Sequence, residues 1–451
     1  MTERLTSFDG VAPAPTGAVI ASPSLDDWLA VLESRHPLGV DGIELGLERV
    51  TAVKRTLGQT ETCPVVLVAG TNGKGSCCAM FEGVLINAGY RVGLYTSPHL
   101  LRYNERIRLG GQPVSDAALC AAFAGVEQAR GDSQLSYFEF GTLAAWEVFA
   151  TVALDVIILE VGLGGRLDAT NVYRAACSLV TTIDLDHQAF LGNTREAIGF
   201  EKAGIFRAGV TAICGDPKPP QSLLEHAKNL GAPLRVMGRD FGYMPQEQQW
   251  QYWSFREDGG KREVARRSGM AYPGLRGANQ LANAASVLAV LDALADVLPV
   301  AMKDIRQGLH ELSLPGRFQV LPGRPVTVLD VAHNPQAARV LASNLGGMGF
   351  HPRTWAIFGM MADKDIAEVI AALKDRVTDW LPCELPGRRA ASTNSLVALL
   401  ETRNLSVVGP RADVAASMSF AAECAKLDDR ILVFGSFLTV AAALKFLGRS
   451  I

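Results

Sequence analysis

Residues 64–76, Pro-Val-Val-Leu-Val-Ala-Gly-Thr-Asn-Gly-Lys-Gly-Ser, join a β-branched run to a glycine-rich turn with one lysine, and helical sequence follows at once. This predicts a buried strand, a tight turn and a helix whose positive N-terminal end faces the turn. Gly70, Gly73 and Gly75 allow the backbone N–H groups to point inward, and Lys74 sets a cation among them. The expected chemistry is a phosphate cradle in which Gly70, Thr71, Asn72, Gly73, Lys74, Gly75 and Ser76 hold ATP. Gly75 separates the lysine from Ser76, whereas the common P-loop has its hydroxyl directly after the lysine, so a rarer variant is indicated. The bland alternative, a turn with no ligand, would need no lysine.

At 451 residues the chain exceeds what one hydrophobic core usually organises, so two domains are expected. A net charge of −3 gives no electrostatic case for nucleic acid or an anionic membrane. The eight cysteines are scattered without a C-x-x-C pair, which argues against zinc and against a disulfide framework and suits a reduced cytoplasm. No apolar run is long enough to span a bilayer, and the start lacks the pattern of a secretion signal. Residues 1–22, rich in Ala, Pro and Ser, read as a flexible extension.

Strand and helix patterns alternate throughout. Buried strands are expected at 65–69, 92–95, 156–161, 179–183 and 210–214, with an Ala-rich helix at 140–153. This predicts doubly wound parallel α/β architecture. Between Gly242 and Tyr272 the pattern turns polar and aromatic around Asp258-Gly259-Gly260, which suggests a β-hairpin at the edge. A long helix is expected at 276–295, then a break at 312–317, then strands at 326–329, 354–358 and 431–434. The domain boundary is placed at the break: an ATP-binding domain over 23–312 with the site for the second substrate, and a smaller Rossmann-like α/β domain over 313–451.

Gly162-Leu163-Gly164 after a strand tempts a dinucleotide reading, but Leu167 stands where the third glycine belongs. Glu160 matters more. It ends a strand on the side where ligands of open sheets gather, and beside Ser76 and His187 it could serve a Mg²⁺ ion on ATP; alone it reads as a solvated carboxylate. By itself His187 reads as a hydrogen-bonded structural residue, and Lys202, in a helix predicted over 194–203, as a solvated surface charge.

Further segments stand in an informative order: Ile43 to Val50, Thr96-Ser97-Pro98-His99-Leu100, Glu160 to Asn171, Asp186-His187, Glu201-Lys202-Ala203-Gly204-Ile205 and Asp330-Val331-Ala332-His333-Asn334-Pro335. With the GTNGKGS turn they resemble the Mur ligase superfamily of ATP-dependent amide-forming enzymes, and within it the dihydrofolate synthase/folylpolyglutamate synthase family. That resemblance implies Mg²⁺, with two ions expected, held by Ser76, Glu160, His187 and a carbamate on Lys202. It places Asn279 near adenine, and Asp330 and His333 at ribose and phosphate; Arg317, in the interdomain Pro315-Gly316-Arg317, could clamp phosphate when the domains close, although by default a linker arginine is exposed to solvent. For Asn279, and for Asp330 and His333, helix capping is the competing role. Ile43, Leu45, Pro98, His99 and Phe138 would line a pterin site. The implied substrates are ATP, L-glutamate, dihydropteroate and reduced folates, and the implied state is a monomer.

Amide formation in water needs an activated carboxylate. Phosphoryl transfer from ATP would give an acyl phosphate that the amine attacks, with charge neutralised around Lys74, His187, Lys202 and Arg317. A ligase restricted to folylpolyglutamates is one alternative. A Mur-type ligase for peptidoglycan precursors is another, although it would need a nucleotide-binding N-terminal domain and only about 60 residues precede the turn. A nucleotide switch, from a different class, would need no second domain presenting Arg317, Asp330 and His333.

Overall fold

The computed structural model describes residues 23–35, 44–258, 261–409 and 412–449. The extension at 1–22, Ile43 and the turn at Gly259-Gly260 lie outside the described residues. Among the described residues no helix is long and apolar enough to cross a membrane.

The first sheet has eight strands: β1 (Val65–Ala69), β2 (Val92–Tyr95), β3 (Ile107–Leu109), β4 (Gln112–Pro113), β5 (Val156–Glu160), β6 (Cys177–Val180), β7 (Ala212–Cys214) and β8 (Leu234–Val236). Their order is β4-β3-β2-β5-β1-β6-β7-β8. The six strands from β2 to β8 in that order pair in parallel, and β3 and β4 add an antiparallel edge. Every residue of β1 is buried because both faces are covered: Val65, Leu67 and Ala69 join one core and Val66 and Val68 the other. With β1 between β5 and β6, the carboxyl ends of β2, β5, β1 and β6 stand side by side, the position where such sheets bind ligands.

A separate three-stranded antiparallel sheet follows, β9 (Phe241–Pro245), β10 (Trp250–Asp258) and β11 (Lys261–Met270). The expected hairpin is thus one strand short. Trp250 and Tyr252 turn into the core beneath the helix Asn279–Ala293, and Tyr252 and Ser254 donate to Asp292 on that helix at 2.9 and 3.0 Å. The last sheet comprises β12 (Gln319–Leu321), β13 (Val326–Asp330), β14 (Thr354–Phe358), β15 (Asp379–Pro382) and β16 (Arg430–Phe434) in the order β12-β13-β16-β14-β15, parallel apart from β12.

Several expected boundaries move. The helix expected at 140–153 is Tyr137–Ala150, because Ser136 and Glu139 form a capping box that starts it earlier. The strand expected at 179–183 is β6, which starts two residues earlier and ends at Val180; the Thr181 N–H still donates to Ala69 O at 2.8 Å, while its hydroxyl donates to Asn72 O at 2.7 Å. The strand expected at 210–214 begins at Ala212, since Gly209, with φ +70°, and Val210 sit in the preceding turn. The helix expected at 276–295 begins at Asn279, after Gly277 takes a φ of +121° that a side chain would resist.

Candidate active site

The turn after β1 is built by close approach. A Cβ on Gly70 would lie 1.7 Å from Thr181 Oγ1, and one on Gly73, whose φ is +89°, would lie 2.6 Å from Asn283 Oδ1. Gly75 differs. A Cβ there meets nothing closer than Arg317 Nη2 at 3.6 Å and Glu160 at 3.8 Å, so the missing side chain leaves open the space between a cation and a carboxylate. Lys74 opens the helix Lys74–Asn87 and folds back, its Nζ donating to Gly70 O at 3.0 Å and Thr71 O at 3.3 Å. Ser76 is buried in the first turn of that helix.

Glu160 ends β5, is buried, and accepts from Ser97 N at 3.2 Å. Burial raises its pKa, against the pull of Lys74, the Ser97 N–H, Arg317 and Arg106. His187 sits at a left-handed backbone position, with φ +50°. Burial, supported by the nearby cations Lys364 and Lys74, brings its pKa down to about 3 even though Asp186 opposes this, so the imidazole is neutral at physiological pH. Burial pushes the Asp186 carboxyl up, but His333, His187 and Lys364 outweigh it and hold the group far below the usual carboxylate range.

Lys202 corrects the surface reading of its sequence. It lies in the helix Arg195–Ala203, capped by Thr194, and is only 4% exposed. Burial, with Lys74 adding repulsion, lowers its pKa to about 7. Its amine forms no hydrogen bond or ion pair among the described residues. The described residues also contain no group of three His, Cys, Asp or Glu placed to hold a metal ion, so Glu160 and His187 alone do not make a closed site.

The last sheet presents the remaining charges. Asp330, at the end of β13, accepts from Phe318 N and Ala332 N at 2.8 Å each, which fixes the strap carrying Arg317. The Arg317 guanidinium lies 4.9 Å from the centre of the Phe437 ring, and its buried Nη1 has no hydrogen-bond partner. His333 Nδ1 donates to Val331 O at 2.8 Å, leaving Nε2 at 3.7 Å from Asp186 Oδ2. Neither Asp330 nor His333 caps the helix Pro335–Gly346; Asn334 does, its Oδ1 accepting from Ala337 N at 2.9 Å. Nor does Asn279 cap its helix, because it is the first helical residue and Ala278 holds the cap position without a side-chain bond.

Aromatic side chains gather at the other end. Phe138 packs against Gly162, where a Cβ would come within 2.6 Å of its ring, and lies 5.9 Å from the Tyr95 ring. His99 Nδ1 accepts from Arg106 Nε at 2.8 Å, and burial together with Arg106 lowers the His99 pKa to about 4. With Ile43 outside the described residues, every other candidate lines one cleft of about 750 Å³: the 70–76 turn, Glu160, His187, Lys202, Asn279, Arg317, Asp330 and His333, and also Leu45, Pro98, His99 and Phe138.

Some residues of this cleft escaped the sequence reading. Lys364 Nζ donates to Asp186 at 2.5 Å and stands 3.5 Å from His187 Nε2, although it follows Phe358 by six positions in an unremarkable loop. Asn72 and Asn334 exchange hydrogen bonds of 3.1 and 3.0 Å, and Asn72 also donates to Gln336 at 2.6 Å. Asn72 was already expected to hold ATP, whereas Asn334 and Asp186 stood in quoted motifs without a role, so their polarity beside strand ends was the available signal. Lys364 offered none beyond its place past a strand end.

A phosphate-type turn faces a second α/β unit across one cleft, the arrangement of a two-domain ligase of the Mur type, and residues 316–437 match the family model described as "Mur ligase, glutamate ligase domain". The chain is 44% identical to the Escherichia coli K12 dihydrofolate synthase/folylpolyglutamate synthase over 93% of its own length and 94% of that protein. It is 38% identical to the Haemophilus influenzae protein of the same name, over 93% and 97% of the two lengths. An E. coli FolC structure in complex with DHPP and ADP superposes with a TM-score of 0.87 at 41% identity, covering 96% of this chain and 99% of that one. A bifunctional folylpolyglutamate synthase/dihydrofolate synthase with Mn, AMPPNP and L-glutamate bound gives 0.85 at 43% identity, covering 95% and 99%. The chain belongs to the dihydrofolate synthase/folylpolyglutamate synthase family.

Proposed function

We propose that this chain uses ATP to join L-glutamate to the carboxylate of dihydropteroate, forming dihydrofolate, and to the γ-carboxylate of reduced folates, extending a polyglutamate. One observation supports this above all: the phosphate-type turn, the buried carboxylate Glu160 and the cations of the second unit converge on a single cleft whose far end is aromatic. Lys74 swings from its own loop carbonyls to the β/γ-phosphates, and Arg317, whose Nη1 lacks a partner, reaches the transferred phosphoryl group. The substrate carboxylate attacks the terminal phosphorus, ADP leaves, and the glutamate amine then displaces phosphate from the acyl phosphate. Asn279 borders the adenine, and Asp330 and His333 the ribose and phosphates.

The donor set suits Mg²⁺, with two ions in our reading: Glu160 is a buried carboxylate with no ion-pair partner in direct contact among the described residues, His187 is neutral, and Ser76 adds a hydroxyl. Bound there, the ions would neutralise phosphate oxygens as charge moves between them. Lys202 is the remaining ligand. Its buried amine, with no ion-pair partner, adds to CO2 with loss of a proton and so becomes an anionic carbamate. One chain completes the cleft, so we read the working unit as a monomer. The experiment is phosphate release from purified protein with ATP and L-glutamate, adding 7,8-dihydropteroate or a tetrahydrofolate. Glutamate-dependent release with both supports the bifunctional reading, release with the folate alone restricts it, and release with neither overturns it.

A further inference from the structure

Arg106 closes the short 3-10 turn Tyr103–Arg106, is only 9% exposed, and lines the same cleft. Its Nε donates to His99 Nδ1, and its guanidinium carbon lies 5.1 and 5.5 Å from the ring centres of Tyr103 and Tyr137. No carboxylate pairs with it among the described residues, and neither terminal nitrogen has a hydrogen-bond partner there. Buried arginines with only a neutral imidazole and two rings for company are uncommon, because a desolvated charge normally finds a counter-ion. The rings orient the fork and the imidazole occupies one edge. The two terminal nitrogens stay available to an anion entering the cleft between the aromatic end, at Phe138, and Glu160, whose carboxylate feels the Arg106 charge without pairing to it.

We infer that Arg106 is a substrate-binding residue that receives a carboxylate of the pteroyl substrate, and this rests on the pterin-ligase reading above. Guanidinium–carboxylate pairing is bidentate and directional, so the contact would fix the substrate's acidic end as well as attract it. Two carboxylates share this chemistry: the benzoate carboxylate of dihydropteroate, and the α-carboxylate of the glutamyl unit in a reduced folate. His99 has a supporting part. Its ring accepts from Nε and so occupies that edge, which leaves the other two nitrogens for the anion.

The test is equilibrium binding of 7,8-dihydropteroate, its carboxamide and tetrahydrofolate to the wild type, Arg106→Met and Arg106→Lys, without turnover. Loss of a charge-assisted contact predicts that Arg106→Met weakens dihydropteroate or tetrahydrofolate about 10- to 100-fold and leaves the carboxamide within about 3-fold. Arg106→Lys should recover part of the loss. If only dihydropteroate weakens, the benzoate carboxylate is the ligand; if only tetrahydrofolate weakens, it is the α-carboxylate; either supports the inference. Equal weakening of acid and amide, or no weakening of either acid, overturns it. Unchanged ADP binding in both variants shows that the fold is intact. Should Arg106→Met lose ADP binding as well, the Arg106→Lys comparison of acid with amide decides by the same criterion. Failure of the wild type to bind any pteroyl ligand would instead refute the pterin reading itself.

Discussion

The two ends of the cleft are made differently. At the phosphate end, charged and polar groups come from both units and touch each other: Asn72 with Asn334, Asp186 with Lys364, and Gly75 open between Arg317 and Glu160. At the aromatic end the rings of Tyr95, Tyr103, Tyr137 and Phe138 all come from the first unit and pack against one another. The difference has a physical reason. Stabilising a phosphoryl group needs several fixed charges converging from different directions, which one sheet edge cannot supply, whereas a flat heterocycle needs only a rigid apolar wall. Substitutions at the phosphate end should therefore lower kcat, and those at the aromatic end should raise the KM of the pteroyl substrate.

The largest effects are expected from the lysines. Lys74→Ala should reduce kcat at least 100-fold, about 2.7 kcal/mol of transition-state stabilisation, and steady-state kinetics that show full activity would remove the turn from the site. Lys202→Ala should lose most activity, with partial rescue by a small carboxylate in solution; a carbon-13 signal after labelled bicarbonate treatment should report the carbamate in the wild type. An active, unrescued alanine variant with no such signal would leave the buried lysine structural. Arg317→Ala should lower turnover by tens of fold with the pteroyl KM unchanged, and a change confined to that KM would move Arg317 to the other end of the cleft.

Phe138→Ala should raise the pteroyl KM about 10-fold, on the order of 1.5 kcal/mol for a lost stacking face, while the KM for ATP stays constant. The smallest effect concerns pH. The folded-state pKa of His99 lies near 4, below its unfolded value of about 6.5, so the neutral ring favours folding above 6.5 and that advantage is lost as pH falls toward 4. His99→Gln should flatten part of the decline in Tm between pH 6.5 and 4, and an unchanged profile would contradict the assignment.

Much of the phosphate end was legible because its determinants are contiguous. Gly70 to Ser76 needs left-handed backbone and close approach, and glycine at those positions announces both. β1, β2 and β14 were read residue for residue, since fully buried strands appear as unbroken apolar runs bounded by turns. The strand Cys177–Val180 was read two residues late and three too far, because Ile183 is as apolar and buried as the strand itself, yet its N–H donates to Asp216 outside the ladder. The third strand of the small sheet was missed because it is short and half exposed. Lys364 was not found because it acts through Asp186, far away in the chain, and Arg106, although His99 and Tyr103 are near it in sequence, because nothing local distinguishes a cation that will be buried from one that will be solvated.

The central claim is that this cleft activates a carboxylate by phosphoryl transfer before amide formation. Dihydropteroate labelled with oxygen-18 in its carboxyl group, turned over with ATP and L-glutamate, tests this directly by mass analysis of the released phosphate. The account predicts that one labelled oxygen passes into inorganic phosphate for each amide formed and that ADP is the other product. Unlabelled phosphate alongside amide formation, or label in AMP, would contradict it.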